Sequence, residues 1–248
     1  MPEEPLDSAC IPRGIDFDDI YKGGPLLPDS TLELDKVPWD VGEPQPLVVQ
    51  LAEGGHITGE VLDAGCGLGE NAMFLTERGF RVTGFDAAAG ALAKARASAR
   101  SRGLDSVFIQ AEATTLDSLP HLFDTVLDSA LYHCLGEDRR SAYLAALHRV
   151  TRPGAHLRLF CFADGHWPGF HAPSVTVTQD NLRTHLQDQW EIDRIVPAQY
   201  VTAYTLPYVR RHQKELEEAG ITMDPEVLRT DSAGRVLATV WHLHAVRR

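Results

Sequence analysis

The sequence is poor in cysteine, has no long apolar run and has no basic cluster, and each absence excludes a class of protein. No apolar stretch approaches the roughly 18 residues of a membrane-spanning helix. The N-terminus MPEEPLDSAC lacks the basic and apolar regions of a secretory signal. The cysteines are scattered without a Cys-x-x-Cys pair, which favours reduced thiols in a cytoplasmic protein: Cys10, Cys66, Cys134 and Cys161.

The charge balance is acidic. There are 35 Asp and Glu against 23 Lys and Arg, which gives a formal net charge of -12. Nucleic-acid binding relies on Lys and Arg to neutralise phosphates. The longest basic blocks are only the pairs Arg210-Arg211 and Arg247-Arg248. We therefore expect no nucleic-acid partner and no membrane association, and a small neutral or cationic ligand is favoured.

The pattern along the chain predicts an α/β protein. Residues 1–58 form an irregular N-terminal segment that ends in a helix over PLVVQLAEGG, with Pro near its start and Gly near its end. From residue 59 to 248, apolar runs typical of strands alternate with helical patterns, which predicts a doubly wound, mostly parallel sheet. The tail adds two late strands, which predicts seven strands with an antiparallel C-terminal edge. With 248 residues, 44% of them hydrophobic, the chain suits a single domain.

A glycine-rich stretch, VLDAGCGLGE, lies between the first strand and the next helix. Glycine in such a loop permits positive φ and lets backbone N–H groups approach a ligand. Asp86 ends the next strand, 21 residues after Gly65, which is the separation typical of a carboxylate that binds ribose hydroxyls. A strand-to-helix turn without a ligand is the alternative interpretation.

Two features distinguish this loop from an NAD site. Its glycines are spaced G-x-G-x-G, whereas dinucleotide-binding folds use G-x-G-x-x-G. Asp63 also precedes the loop by two residues, where its carboxylate would repel a pyrophosphate but attract a sulfonium or ammonium group. S-adenosylmethionine (SAM) therefore fits better than NAD.

These motifs as an ordered set resemble class I SAM-dependent methyltransferases. LDAGCGLGE is similar to the family's first motif, VTGFDAAAGAL to its second, and QAEAT to its adenine-binding motif. FDTVLDSALYHCL and LHRVTRPGAHLRL are similar to the segments that follow. The resemblance implies a Rossmann-like fold, SAM as cofactor, and a cofactor site made of Gly65, Cys66, Gly67, Gly69, Asp86, Ala87, Glu112 and Ala113, with Glu112 facing the adenine.

The segment VPWDVGEPQP adds a narrower resemblance. A Trp followed by Gly-x-Pro-x-Pro is similar to bacterial methyltransferases of small molecules, of the thiopurine, thiol and heteroaromatic or quinone type. This resemblance implies that Trp39 borders the methionine end of SAM, and that Tyr21 of IYKG also contacts the cofactor. The N-terminal segment is then expected to cover the cofactor site.

The reaction site is expected at the carboxyl ends of the first and fourth strands, where strand order reverses. His133 follows the fourth strand and is our candidate general base, because imidazole accepts protons near neutral pH. The alternative is that His133 hydrogen-bonds the backbone or shapes the pocket. Asp128 ends the same strand and pairs either with the SAM ammonium or with the backbone.

Three aromatic side chains are candidates for binding the methyl acceptor. Tyr132 either stacks on the acceptor or packs in the core, and His166 and Trp167 lie in the loop HWPGFH. His242 and His244 alternate in the last strand without a matching cluster of ligands, so we expect no metal.

We therefore predict a monomeric or homodimeric enzyme that transfers a methyl group from SAM to an O, N or S atom of a small aromatic or heterocyclic acceptor. A non-catalytic SAM-binding sensor or scaffold, and an NAD-dependent oxidoreductase, are the alternatives.

Overall fold

The computed structural model describes residues 16–24, 37–119, 122–165, 167–172, 174–218 and 220–248. The helices of these residues are α1 (Phe17–Tyr21), α2 (Pro46–Glu53), α3 (Glu70–Glu77), α4 (Ala89–Ser101), α5 (Glu137–Arg149), α6 (Gln179–Leu186), α7 (Leu206–Arg211) and α8 (Gln213–Glu218). The strands are β1 (Glu60–Ala64), β2 (Arg81–Asp86), β3 (Val107–Gln110), β4 (Phe123–Ser129), β5 (Thr151–Phe162), β6 (Phe170–His171), β7 (Trp190–Thr205), β8 (Thr222–Met223) and β9 (Arg235–Arg247). A 3₁₀ turn, Tyr132–Cys134, follows β4.

In the described chain, seven strands form one sheet in the order β3-β2-β1-β4-β5-β9-β7. Strands β1 to β5 pair in parallel, and β9 runs antiparallel to both of its neighbours. The predicted α/β fold with a mostly parallel seven-stranded sheet is confirmed. The antiparallel last strand lies one place inside the edge, because β7 folds back along it as the outermost strand. Strands β6 and β8 form a separate two-stranded sheet.

Two hydrophobic cores lie on opposite faces of the large sheet. One packs against α2, α3 and α4, and the other packs against α5 and α6. Side chains alternate across a strand, so Val61 of β1 enters the first core and Leu62 enters the second. Burial on both faces explains why apolar residues occupy adjacent positions in these strands, Val61-Leu62 in β1 and Val126-Leu127 in β4. Strand order reverses between β1 and β4, which opens a crevice at their carboxyl ends.

The N-terminal segment differs from the sequence-based expectation. The predicted irregular N-terminal segment contains α1, whose N-terminus is capped by the Asp16 carboxylate accepting the N–H of Asp19 at 3.1 Å. Helix α5 ends at Arg149, before Pro153-Gly154, and the Pro-Gly pair lies within β5. Residues 206–218 form two short helices that are separated at His212. No helix of the described residues is long and apolar enough to cross a membrane.

Candidate functional site

A cavity of about 290 Å³ lies at the reversal point of the sheet. It is lined by the glycine loop after β1, the end of β2, the loop after β3 and the turn after β4. The N-terminal segment, the end of β5, the loop after β5 and β7 complete its walls. The stretches that the sequence analysis assigned to one site therefore do meet.

The glycine loop is shaped for close approach to a ligand. Gly65, Gly67 and Gly69 have φ values of 65°, 52° and 80°, in the left-handed region that favours glycine. A Cβ on Gly67 would stand 2.6 Å from the Tyr21 hydroxyl, and one on Gly69 would stand 2.7 Å from the Phe108 ring. Any larger residue would therefore strain the backbone and push the neighbouring ring aside.

Asp86 lies at the end of β2 and lines the cavity. One carboxylate oxygen accepts the N–H of Gly67 at 2.8 Å, and the other accepts the N–H of Ala88 at 2.9 Å. Burial raises the pKa of this carboxyl, and the backbone N–H groups of Ala88 and Gly67 oppose that rise. Each oxygen keeps a second lone pair for a ligand donor such as a ribose hydroxyl. Asp86 thus also holds the glycine loop in place.

Asp63 lies in β1 and is 1% exposed, and it does not contribute to the cavity wall. Its Oδ2 has no hydrogen-bond partner among the described residues. Burial raises the pKa of this carboxyl to about 7, and the nearby negative charges of Asp86 and Asp128 add to the rise. A cationic ligand in the cavity would stabilise the ionised form of Asp63. The backbone N–H of Ala72 bonds this carboxyl and opposes the rise, but a negative charge beside the glycine loop still fits a sulfonium cofactor better than a pyrophosphate.

Cys66, Ala87, Glu112 and Ala113 all line the cavity, as the resemblance implied. The Glu112 carboxylate forms an ion pair with Arg139 of α5, and it accepts bonds from the Thr114 N–H and hydroxyl at 3.3 Å. All of these bonds go to Oε1, so one oxygen of the Glu112 carboxylate is already paired at the cavity wall.

Tyr21 and Trp39 bring the N-terminal segment onto the cavity. The Trp39 indole N–H donates to the Tyr21 hydroxyl at 2.8 Å. Gln45 ties the segment to β7, because its amide donates to the Val201 carbonyl at 2.9 Å and its side-chain oxygen accepts the Val201 N–H at 3.3 Å. The two aromatic residues therefore meet at one wall although 18 positions separate them.

His133 lines the cavity and is 5% exposed. Burial, with the positive charge of Arg140, lowers the pKa of its imidazole to about 3. Its Nδ1 accepts the N–H of Phe162 at 3.4 Å, so the proton of the neutral ring lies on Nε2. A general base needs a pKa near the working pH and a lone pair towards the substrate. This arrangement argues against the predicted general base and favours the backbone-bonded alternative.

Asp128 and Tyr132 do not line the cavity. The Asp128 carboxylate accepts the N–H groups of Leu131 and Tyr132 at 2.8 and 3.2 Å and the hydroxyl of Tyr143 at 2.8 Å. It therefore caps the turn after β4, and the predicted cofactor contact is replaced by the backbone alternative. Tyr132 is fully buried and donates its hydroxyl to Asn181 at 3.0 Å, so the structure places it in the core, as the alternative interpretation expected.

Of the two predicted loop residues, Trp167 lines the cavity, whereas His166 lies outside the described residues. The Trp167 ring stacks on Phe170 with centroids 3.7 Å apart and an interplanar angle of 18°. The loop after β5 thus supplies a stacked pair of aromatic rings to the cavity.

Several cavity residues on β5 and β7 were not predicted from the sequence. Phe162, Tyr200 and Tyr204 face the cavity, and the Tyr200 hydroxyl lies 2.9 Å from that of Ser129. Tyr200 and Ser129 are 71 positions apart, and no local motif connects them. Only the folding of β7 along β9 brings Tyr200 to the end of β4.

The described residues contain no group of three or more His, Cys, Asp and Glu side chains arranged to hold a metal ion. His244 instead bonds the Asp193 carboxylate at 2.9 Å and the ring of His156 at 3.0 Å.

Comparison with known proteins gives concordant results. Residues 61–154 match the family described as methyltransferase domain. The chain is 35% identical over 162 residues to 2-heptyl-1-hydroxyquinolin-4(1H)-one methyltransferase of Mycobacteroides abscessus, covering 65% of this chain and 71% of that protein.

Solved structures share the architecture. One, concerned with the conversion of a disulfide bond into a thioacetal group during echinomycin biosynthesis, superposes with a TM-score of 0.72 at 30% identity, over 93% of this chain and 90% of that one. Magnesium protoporphyrin IX methyltransferase of Synechocystis with bound SAM superposes with a TM-score of 0.52 at 19% identity, over 82% and 76%. The second similarity shows the fold alone.

Proposed function

The chain belongs to the class I SAM-dependent methyltransferases, and on that basis we propose that it methylates an O, N or S atom of a small aromatic or heterocyclic molecule. The observation that carries this proposal is that one cavity is lined by two different kinds of residue. One half contains the glycine loop and Asp86, and the other is walled by aromatic rings. The hydroxyquinolinone named for the 35% identical relative is an acceptor of the proposed kind.

The first half would hold the cofactor. Backbone N–H groups of Gly65 to Gly69 would face the methionine part, and Asp86 would accept from the ribose hydroxyls. Ala87, Glu112 and Ala113 would border the adenine, whereas Tyr21 and Trp39 would cover the methionine end. Bound SAM supplies a methyl group already activated on a sulfonium. Residues 1–58 would therefore act as a cover for the cofactor within a single domain.

The second half would align the acceptor with that methyl group. Phe162, Trp167, Phe170, Tyr200 and Tyr204 line it, and rings of this kind stack on planar molecules. Methyl transfer from an activated donor depends mainly on alignment of the two reactants and exclusion of water. A wall of aromatic rings, of which Trp167 and Tyr200 are buried, would supply both.

The test is methyl transfer from SAM labelled in its methyl group to a panel of phenols, thiols and hydroxyquinolones, followed by mass spectrometry. We expect at least one product that carries one labelled methyl group, with S-adenosylhomocysteine released in equal amount. Asp86→Ala should lower this activity when SAM is below saturation, while Asp231→Ala, which does not line the cavity, should keep it. SAM binding without transfer to any acceptor would instead favour the sensor or scaffold alternative.

We also propose a cytoplasmic enzyme, monomeric or homodimeric, without a nucleic-acid partner. The acidic charge of -12 and the scattered cysteines support this proposal. Cell fractionation and light scattering on the purified protein test it.

A further inference from the structure

The aromatic half of the cavity is rich in hydrogen-bond donors. Because the Nδ1 of His133 accepts the Phe162 N–H at 3.4 Å, the neutral ring presents an Nε2–H donor. The His133 ring lines the cavity, so its Nε2–H is the donor that this residue can offer to a bound molecule.

Trp167 supplies a second donor. It is 7% exposed, and its indole N–H is buried without a hydrogen-bond partner in the described part of the chain. A buried N–H without an acceptor costs free energy unless a ligand supplies one. Phe162 lies between the two donors, with its ring 4.2 Å from that of His133 and 5.4 Å from that of Trp167. Both rings therefore lie against Phe162 in the same part of the cavity wall.

A positive charge lies close to His133, on a residue that is not part of the cavity wall. Arg140 of α5 is buried and donates to the Leu135 carbonyl at 3.2 Å and the Asn181 side chain at 3.0 Å. Among the described residues, no carboxylate lies within 4.0 Å of its guanidinium, and its positive charge reaches His133. The cavity residues of β5, the loop after it and β7 include no carboxylate among those described. The turn that carries His133 also carries Cys134 and is bonded by the Asp128 carboxylate, and Tyr200 of β7 lines the same cavity.

We propose that the methyl acceptor binds as an anion, an ionised aromatic hydroxyl or thiol, held by His133 Nε2–H and Trp167 Nε1–H. This inference rests on the proposed function and names its acceptor class. The acceptor's proton leaves to solvent before or during binding. A lone pair of the anionic oxygen or sulfur then forms the new bond to the methyl carbon as the bond from that carbon to the sulfonium breaks, and the sulfonium sulfur keeps the bonding pair. No protein base is required.

The test measures the ionisation state of a bound acceptor at equilibrium. The complex of the protein with S-adenosylhomocysteine is titrated with 4-nitrophenol, 4-nitrothiophenol and 1-hydroxyquinolin-4-one, whose ionised forms have distinct absorption spectra. We expect the apparent pKa of a bound probe to fall by about one unit or more below its value in solution, since one unit corresponds to tenfold preference for the anion. Binding of the neutral forms only, or of none of the three, would overturn the proposal.

Variants that keep a ring at each position assign the donors. His133→Phe and Trp167→Phe should each weaken anion binding by roughly 10- to 100-fold, the scale of one hydrogen bond to a charged group. His133→Gln, which keeps an N–H donor, should restore part of that loss. Unchanged anion affinity in both Phe variants, with thermal unfolding intact, would refute the two donors. If a variant fails to fold, the spectrum of the wild-type complex still decides the proposal.

Methyl transfer to the same probes separates this inference from the proposed function. Methyl transfer to a probe that binds in its neutral form would refute binding of the acceptor as an anion and leave the proposed function intact. Absence of transfer to any acceptor would refute the proposed function, whatever the ionisation state of the bound probe.

Discussion

Replacing Asp86 by Ala perturbs two features at once, because its carboxylate serves both the expected ribose contact and the glycine loop. The expected ribose contact consists of charge-assisted hydrogen bonds, which contribute about 1.5–3 kcal/mol to the free energy of binding. SAM and S-adenosylhomocysteine should therefore bind roughly 10- to 150-fold more weakly.

The structure adds a stability cost that the sequence alone did not indicate. Asp86→Ala leaves the N–H groups of Gly67 and Ala88 without their acceptors at 2.8 and 2.9 Å. We expect a loss of about 1–3 kcal/mol in the free energy of unfolding, reduced where water enters the cavity to bond them. Thermal and denaturant unfolding of the ligand-free protein measure this loss separately.

Calorimetric titration with S-adenosylhomocysteine, at a temperature where each variant is fully folded, gives the binding part. Asp231→Ala is the matched control, since Asp231 also accepts two backbone N–H groups at 2.9 Å, from Ala233 and Arg235, away from the cavity. It should lower stability without changing affinity. Wild-type affinity in folded Asp86→Ala would refute the ribose assignment.

Gly67→Ala should abolish SAM binding measured by calorimetry, because its Cβ would meet the Tyr21 hydroxyl. Gly103→Ala is the control, because Gly103 also has a positive φ but a Cβ there would meet no atom within 4 Å, and it should bind SAM normally. Burial raises the pKa of Asp63 to about 7, so its ionisation destabilises the ligand-free fold as pH rises from about 4 to 7. Asp63→Asn should reduce this decline in unfolding experiments, with the part due to Asp128, whose pKa burial also raises to about 7, remaining, and it should weaken SAM binding more than S-adenosylhomocysteine binding. An unchanged decline would contradict this prediction. Since the pKa of His133 is lowered to about 3, kcat should not change with the titration of an imidazole near pH 6.5. A change near that pH that disappears in His133→Gln would show that His133 acts as the general base after all.

Much of the fold follows from short-range patterns. Adjacent apolar residues in β1 and β4 mark strands buried on both faces. The glycine loop with Asp86 at the end of β2 marks the ligand edge of a parallel sheet. These features depend on neighbours in the sequence, so their positions were predictable.

The acceptor half was less predictable, because its walls are assembled by long-range packing. Tyr200 reaches Ser129 only through the hairpin of β7 and β9, and Gln45 reaches Val201 across 156 positions. Asp128 shows a second limit. A carboxylate that ends an apolar strand has the same sequence pattern whether it binds a ligand or, as here, caps the following turn.

The role of His133 depends both on long-range packing and on surroundings that its sequence position does not reveal. Its place after β4 was evident, but its role depends on the Phe162 N–H from β5 and on burial near Arg140. Those neighbours make the imidazole a neutral donor, and sequence position alone does not fix the protonation state of a histidine.

The most direct test of the two-part cavity is a structure of the protein with S-adenosylhomocysteine and a methylated or ionisable hydroxyquinolone bound together. We predict the ribose hydroxyls on the Asp86 carboxylate, and the acceptor oxygen between His133 and Trp167 on the aromatic side, facing the cofactor sulfur. A cofactor bound away from the glycine loop, or an acceptor bound outside the cavity, would contradict the account.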